Sequence, residues 1–218
     1  AFFVGDANNA RSMAMRVMPA ALMPSPSEPP LLPDGFTRVV ATVFCCRPHF
    51  FAILDTYLQA SLKINGGVLD EVYLLVNTDV PADLEFIDTL NDTPGYRIVR
   101  HPDGTRPGYH KLYTALNDSS TLYLKIDDDV VFIDDGAIEA LVRAYTAHRD
   151  AYCILSANVI NHPRLNYYHQ SIGALNGVHP SPSDGLGPII YEDNPFGNCT
   201  LKQGRCVQRV HETFFAHV

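Results

Sequence analysis

A chain of 218 residues can bury one substantial core, and its length fits one domain or at most two. With 46% hydrophobic and 18% charged residues it has a globular composition, and no apolar run is long enough to span a bilayer. A formal charge of −8 argues against the basic surface that non-specific nucleic-acid binding requires, so an anionic substrate needs a local cationic device such as a bound metal.

Residues 1–35 read as a proline-rich tail or linker with little regular structure, because Pro19, Pro24, Pro26, Pro29, Pro30 and Pro33 favour extended, unpacked backbone. From residue 36 an alternation of strands and helices begins. Arg38–Phe44 is a β-branched run suited to a buried strand. Pro48 then opens a helix with Phe51, Leu54, Leu58 and Leu62 at helical spacing. Glu71–Val76 is the second strand, and Pro81 with Asp83 starts a helix carrying Leu84, Ile87 and Leu90. Tyr96–Val99 is a short third strand, followed by a helix on Tyr109, Leu112, Tyr113 and Leu116. Thr121–Ile126 is the fourth strand. Asp134 and Asp135 are expected to cap the next helix, whose apolar face is Ile138, Leu141, Val142 and Tyr145. Tyr152–Ala157 is the fifth strand.

This order predicts an α/β fold with a mostly parallel central sheet and helices on both faces. Residues 36–160 form the regular part of a single domain over 36–218. Beyond about residue 160 the pattern gives way to Asn, His, Pro, Gly and Tyr, the composition of pocket walls. The chain starts without methionine and closes on the apolar-rich Arg209–Val218, which reads as part of a longer protein.

Asp127-Asp128-Asp129 is the most informative stretch. Three acids in a row are poorly tolerated inside a strand, and the apolar runs on both sides force them to the edge of a sheet. Carboxylates on alternate residues of a strand point the same way, so Asp127 and Asp129 can share one divalent cation. Ligands of open α/β sheets bind outside the carboxyl ends of strands. Those ends carry Cys45-Cys46-Arg47, Asn77-Thr78-Asp79, Arg100-His101 and the triplet. Arg47 and Arg100 suit anionic oxygens, and Asp79 suits hydroxyl or base-edge contacts. The fingerprints of dinucleotide-binding folds, P-loop hydrolases and α/β-hydrolases are absent. Lys125 is out of place in a buried strand unless it reaches back over the sheet edge.

Cys45, Cys46 and Cys153 read as buried thiols, whereas Cys199 and Cys206 could close a short loop under oxidising conditions. Without a Cys-x-x-Cys, structural zinc is not expected. Asn91, Asn117 and Asn198 each open an Asn-x-Ser/Thr sequon, which weakly favours a secretory-pathway lumen over the cytoplasm.

The succession of strand–helix units leading to TLYLKIDDDVVFI resembles the nucleotide-sugar-binding half of GT-A-fold glycosyltransferases, whose Asp-x-Asp motif is matched by Asp127-Asp128-Asp129. The resemblance covers roughly residues 37–160 in layout, and only the acidic motif with its strand is specific. It implies a manganese or magnesium ion held against the diphosphate of a nucleotide-sugar donor, with transfer to a carbohydrate or other hydroxyl acceptor. It also implies Asp129 as direct metal ligand and Asp127 at the ribose or the metal's water shell. A later histidine completes the metal shell, with His211 the candidate and His162 the second. Asp128, Asp79, Arg47 and Lys111 join Asp127 as donor-binding residues, and 161–218 becomes the acceptor side. An inverting reaction needs a carboxylate base, for which Glu212 and Asp193 are the candidates, with Glu192 a third. Tyr167, Tyr168 and Tyr191 could stack on an acceptor sugar.

Two alternatives stand beside this. Ile126–Val131 also matches the nucleophile motif of haloacid-dehalogenase-like phosphatases, with Asp127 as nucleophile, although that family places it on the first strand. A non-catalytic nucleotide-sugar or carbohydrate-binding module would keep the metal site and lack an acceptor half.

Overall fold

The computed structural model describes residues 2–5, 32, 34–102, 106, 108–157, 159, 169, 173, 212 and 214. The chain divides into two compact units, 1–157 and 158–218. The first is of the α/β class. Its six strands are β1 (Phe2–Gly5), β2 (Arg38–Cys45), β3 (Glu71–Val76), β4 (Tyr96–Val99), β5 (Thr121–Asp127) and β6 (Ile154–Ser156). They form one sheet in the order β4-β3-β2-β5-β1-β6.

The central four strands, β4-β3-β2-β5, are parallel. Parallel strands are covered on both faces and therefore read as nearly unbroken apolar runs, which RVVATVFC and EVYLLV illustrate. One face presents Val39, Ala41, Val43, Val72, Leu74, Leu122, Leu124 and Ile126 to a common core. The helices α1 (Pro48–Ser61), α2 (Pro81–Thr89) and α4 (Ala137–His148) cover it. Phe51, Leu54 and Leu58 of α1 are fully buried there, each contributing about 1.5–3 kcal/mol, and α4 brings in Ile138, Leu141, Val142 and Tyr145. The other face collects Val40, Phe44, Tyr73, Leu75 and Tyr123 with Leu112 of α3 (Tyr109–Leu112).

Local chemistry explains the helix ends. Pro48 and Pro81 occupy the first turns of α1 and α2, where a missing N–H costs nothing. Before α2 the Thr78 hydroxyl donates to Asp83 Oδ2 at 2.9 Å and accepts from the Val80 N–H at 3.2 Å. After α1, a 3₁₀ turn at Lys63–Asn65 is closed by Gly66 at φ +91°, a left-handed conformation that favours glycine.

The structure departs from the sequence reading at four places. Phe2–Gly5, expected in an unstructured tail, is a strand antiparallel to both β5 and β6. Its backbone pairs the far edge of β5, a demand that is invisible in a local window. The helix expected over Tyr109–Leu116 stops after one turn and tightens into a 3₁₀ turn at Tyr113–Ala115. Neither Asp134 nor Asp135 caps α4. Its N-cap is Gly136 at φ +73°, and the Asp134 carboxylate accepts the Asp135 N–H at 3.0 Å instead. The last strand is shorter than Tyr152–Ala157, spanning only Ile154–Ser156.

In the second unit, Phe214 is buried and its ring meets that of His169 edge-on, centroids 4.9 Å apart.

Candidate functional site

The parallel register brings the strand ends together. Phe44 of β2 stands beside Asp127 of β5, Cys45 beside Val76 of β3, and Leu75 beside Val99 of β4. The Asn77 N–H donates to the Cys45 carbonyl at 3.2 Å, tying the β3 exit to the β2 exit. Cys45 and Cys46 are buried there with their sulfurs in contact across a cis peptide. Arg47, Asn77 and the acid triplet therefore share the carboxyl edge of the sheet.

The three aspartates do three different things. β5 ends at Asp127, so the alternation that would aim Asp127 and Asp129 together is broken by a turn, in which the Val130 N–H donates to the Asp127 carbonyl at 3.2 Å. Asp128 is buried and accepts three hydrogen bonds from Arg47: the backbone N–H at 2.6 Å, Nε at 3.1 Å and Nη2 at 2.5 Å. The same Nη2 lies 2.9 Å from Oδ2 of the exposed Asp129. The hydrogen bond from Asp128 and the two acidic charges hold the Arg47 guanidinium pKa well above its ordinary value, against the pull of partial burial. Arg47 also stacks over the Phe50 ring, 5.5 Å from its centroid.

Asp127 pairs instead with Lys125, two residues back on the same face of β5. Lys125 Nζ stands 5.9 Å from the Phe44 ring centroid, and Phe44 meets the half-exposed Tyr113 edge-on at 5.1 Å. Burial draws the Lys125 ammonium down to about 8, with Asp129 and Asp128 acting in the opposite sense. The triplet thus faces two basic side chains of its own chain, Arg47 on Asp128 and Asp129, and Lys125 on Asp127.

A hard divalent cation would look for oxygen donors at this edge, where both outer carboxylates already carry a basic partner. Asp127 and Asp129 offer partly exposed carboxylates, and Asn77 Oδ1 is a buried acceptor with no hydrogen-bond partner among the described residues. The Lys125 ammonium already stands as a cation on Asp127. Among the described residues no group of three or more His, Cys, Asp and Glu side chains is arranged to hold a metal. A magnesium-type ion is ordinarily held by only one or two carboxylates, with water and substrate phosphate completing its shell.

The other sequence-predicted residues are more scattered. Asp79 and Lys111 are exposed, the latter on α3 beside the buried Leu112. Arg100 turns to Asp88 of α2 at 2.5 Å. Glu212 is exposed and helical in the second unit, two residues before Phe214. Asp193, His211, His162, Glu192, Tyr167, Tyr168, Tyr191, Cys199 and Cys206 lie outside the described residues.

Sequence reasoning missed the Arg47–Asp128 clamp. Its only signal is an arginine just past a strand that turns out to neighbour β5, and the register is not legible without the sheet order. A concavity of about 270 Å³ lies between the end of α1 and the start of α4, lined by Tyr57, Ser61, Val68, Asp134, Asp135 and Glu139 among others. Glu139 there accepts from Arg143 at 2.8 Å, one helical turn on.

Comparison of the chain with protein-family models, with curated proteins and with solved structures finds no match.

Proposed function

We propose that residues 36–157 form the donor-binding part of a metal-dependent glycosyltransferase of the GT-A type, moving a sugar from a nucleoside-diphosphate sugar to a hydroxyl acceptor. The observation that carries this reading is the placement of the acid triplet at the carboxyl end of β5, beside the end of β2, where open parallel sheets bind ligands. Asp127 and Asp129 would hold a manganese or magnesium ion, with Asn77 offering a further oxygen at the same edge. Bound there, the cation supplies charge stabilisation to a departing diphosphate without proton transfer. Asp128 supports the site from below by fixing Arg47, which in turn holds the turn carrying Asp129. A secretory lumen accords with the exposed sequon residues Asn91 and Asn117.

A phosphatase using Asp127 as nucleophile has less support, because β5 follows three strand–helix units of the parallel sheet.

Titration calorimetry with manganese and a panel of uridine and guanosine diphosphate sugars tests the proposal. Metal-dependent binding, lost in Asp129→Ala, is expected. Equal behaviour of the variant and the native chain, or no metal-dependent binding, would refute it. Binding with no turnover against any acceptor would instead identify a binding module, and phosphomonoester hydrolysis lost in Asp127→Asn a phosphatase.

A further inference from the structure

The second face of the sheet carries a cluster that the proposed chemistry does not use. Arg38 opens β2, Tyr73 lies in β3, and Arg97 stands opposite Tyr73 on the edge strand β4. Alternation along each strand puts all three on the face of Val40, Leu75 and Val99, toward the amino end of the strands and away from the acid triplet. Arg38 Nη2 and Arg97 Nη1 both donate to the Tyr73 hydroxyl, at 2.9 and 3.2 Å, and the Arg97 guanidinium stands 5.0 Å from the centre of that ring. Two cations on one oxygen lie within about 6 Å of each other and repel. Glu71 offsets one of them, its Oε2 accepting from Arg38 Nη2 at 2.7 Å, and Asp118 also attracts Arg38. Arg97 is exposed and has no carboxylate partner among the described residues. Donors outnumber acceptors here. Tyr73, only 5% exposed, accepts two hydrogen bonds, and its own O–H finds no acceptor among the described residues. Arg38 Nε is buried and likewise has none, so internal bonding does not account for where this guanidinium stands.

We propose that Arg38, Tyr73 and Arg97 form a binding site for a phosphate group, inorganic or at the end of a small ester. The site is separate from the carboxyl edge and does not rest on the glycosyltransferase reading. Two of its three donor groups are charged forks that match phosphate oxygens in pairs. Arg38 Nη1 and Arg97 Nη2 take no part in the bonds to Tyr73 and Glu71, and they are the donors offered to the ligand. A dianion set between the guanidiniums removes their repulsion and gives the Tyr73 hydrogen an acceptor. In a chain of formal charge −8, binding an anion takes such a local excess of cation, and Arg97 supplies it. The Tyr73 hydroxyl already gathers both forks at one point, so little reorganisation is needed. A carboxylate, planar and singly charged, satisfies one fork, whereas a tetrahedral dianion reaches both forks and the hydroxyl.

Isothermal titration calorimetry on the full chain tests this with inorganic phosphate, glycerol phosphate and acetate at constant ionic strength. The native chain should take one phosphate group per molecule, more tightly than acetate, and the tighter of the two phosphates identifies the source. Arg97→Gln should weaken binding by roughly ten- to hundredfold, the loss of a charge-assisted pair. Tyr73→Phe, which keeps the ring beside Arg97, should weaken it by about three- to tenfold. Arg149→Gln, at the end of α4 and outside the cluster, should bind as the native chain does. Far-ultraviolet circular dichroism checks that each variant is folded, and Tyr73→Phe decides alone if Arg97→Gln is not. A native chain that takes up neither phosphate, equal affinity in the native chain and a folded Arg97→Gln, or acetate bound as tightly as phosphate overturns the site. So does an equal loss in Arg149→Gln, which would mark diffuse attraction to charge.

Discussion

Replacing Asp128 separates a structural carboxylate from the ligand-facing pair beside it. Its side chain is 9% exposed and accepts from the Arg47 backbone N–H and from two guanidinium nitrogens. In Asp128→Ala that N–H loses its acceptor, at a cost of about 1–3 kcal/mol. The guanidinium is 50% exposed and recovers much of its solvation in water, so its share is about 1 kcal/mol. The sum is about 2–4 kcal/mol. Arg47→Ala keeps the backbone N–H but leaves the buried Asp128 carboxylate without its counter-charge, so it should be clearly destabilising as well. Asp129→Ala, at an exposed position, should stay within about 1 kcal/mol of the native chain. Urea unfolding measures all three by far-ultraviolet circular dichroism, with tyrosine emission as a second probe because the chain has no tryptophan. The reasoning is refuted if Asp128→Ala costs no more than Asp129→Ala, or if the Asp128 and Arg47 effects simply add in the double variant.

Gly67 packs against the end of α1, and a Cβ there would fall on the Ser61 backbone carbonyl. Gly67→Ala should lose about 1–3 kcal/mol, whereas Gly66→Ala, open in space but at φ +91°, should lose about 1 kcal/mol. Thermal denaturation ranks the two, and a Gly67 variant melting with the native chain contradicts the packing. Asp118 accepts from the Ser120 hydroxyl at 2.7 Å, the Ser120 N–H at 2.9 Å and the Thr121 hydroxyl at 2.8 Å, and these bonds hold its carboxyl down to about 2. A carboxyl depressed in the folded state adds stability that is complete above its unfolded value of 3.8 and fades as pH falls through about 2. Melting curves from pH 5 to pH 2 should therefore fall less steeply for Asp118→Asn than for the native chain, and identical slopes would show the turn to be inert.

The parallel core was legible because its evidence is local. β-Branched runs bounded by Pro, Gly and Asn place β2, β3, β4 and β5 close to their observed limits, and i, i+3, i+4 spacing places the buried faces of α1 and α4. The failures are of another kind. β1 owes its existence to strands far along the chain, and FFVG alone is too short to announce it. The start of α4 followed Gly136 because a left-handed residue there turns the chain, leaving the two aspartates to solvent and to each other. At the site, the triplet's position at a sheet edge follows from its flanking apolar runs. Which aspartate is buried follows from Arg47, whose approach depends on β2 lying next to β5.

The insertion of β1 between β5 and β6 also sets an order of assembly. Phe2 pairs with Ile126 and Val4 with Leu155, so β2, β3 and β4 must be synthesised before either partner of β1 exists. Contacts this distant in sequence are slow to form, and at ribosomal rates of about 5–20 residues per second the first strand waits many seconds for its place. Once made, β5 presents an open row of N–H and C=O groups until β1 pairs with it, the kind of edge at which strands of other molecules add. The same strand that delivers the acid triplet is thus the one whose flank β1 closes, which makes the Phe2–Gly5 segment a guard against intermolecular pairing beside the site.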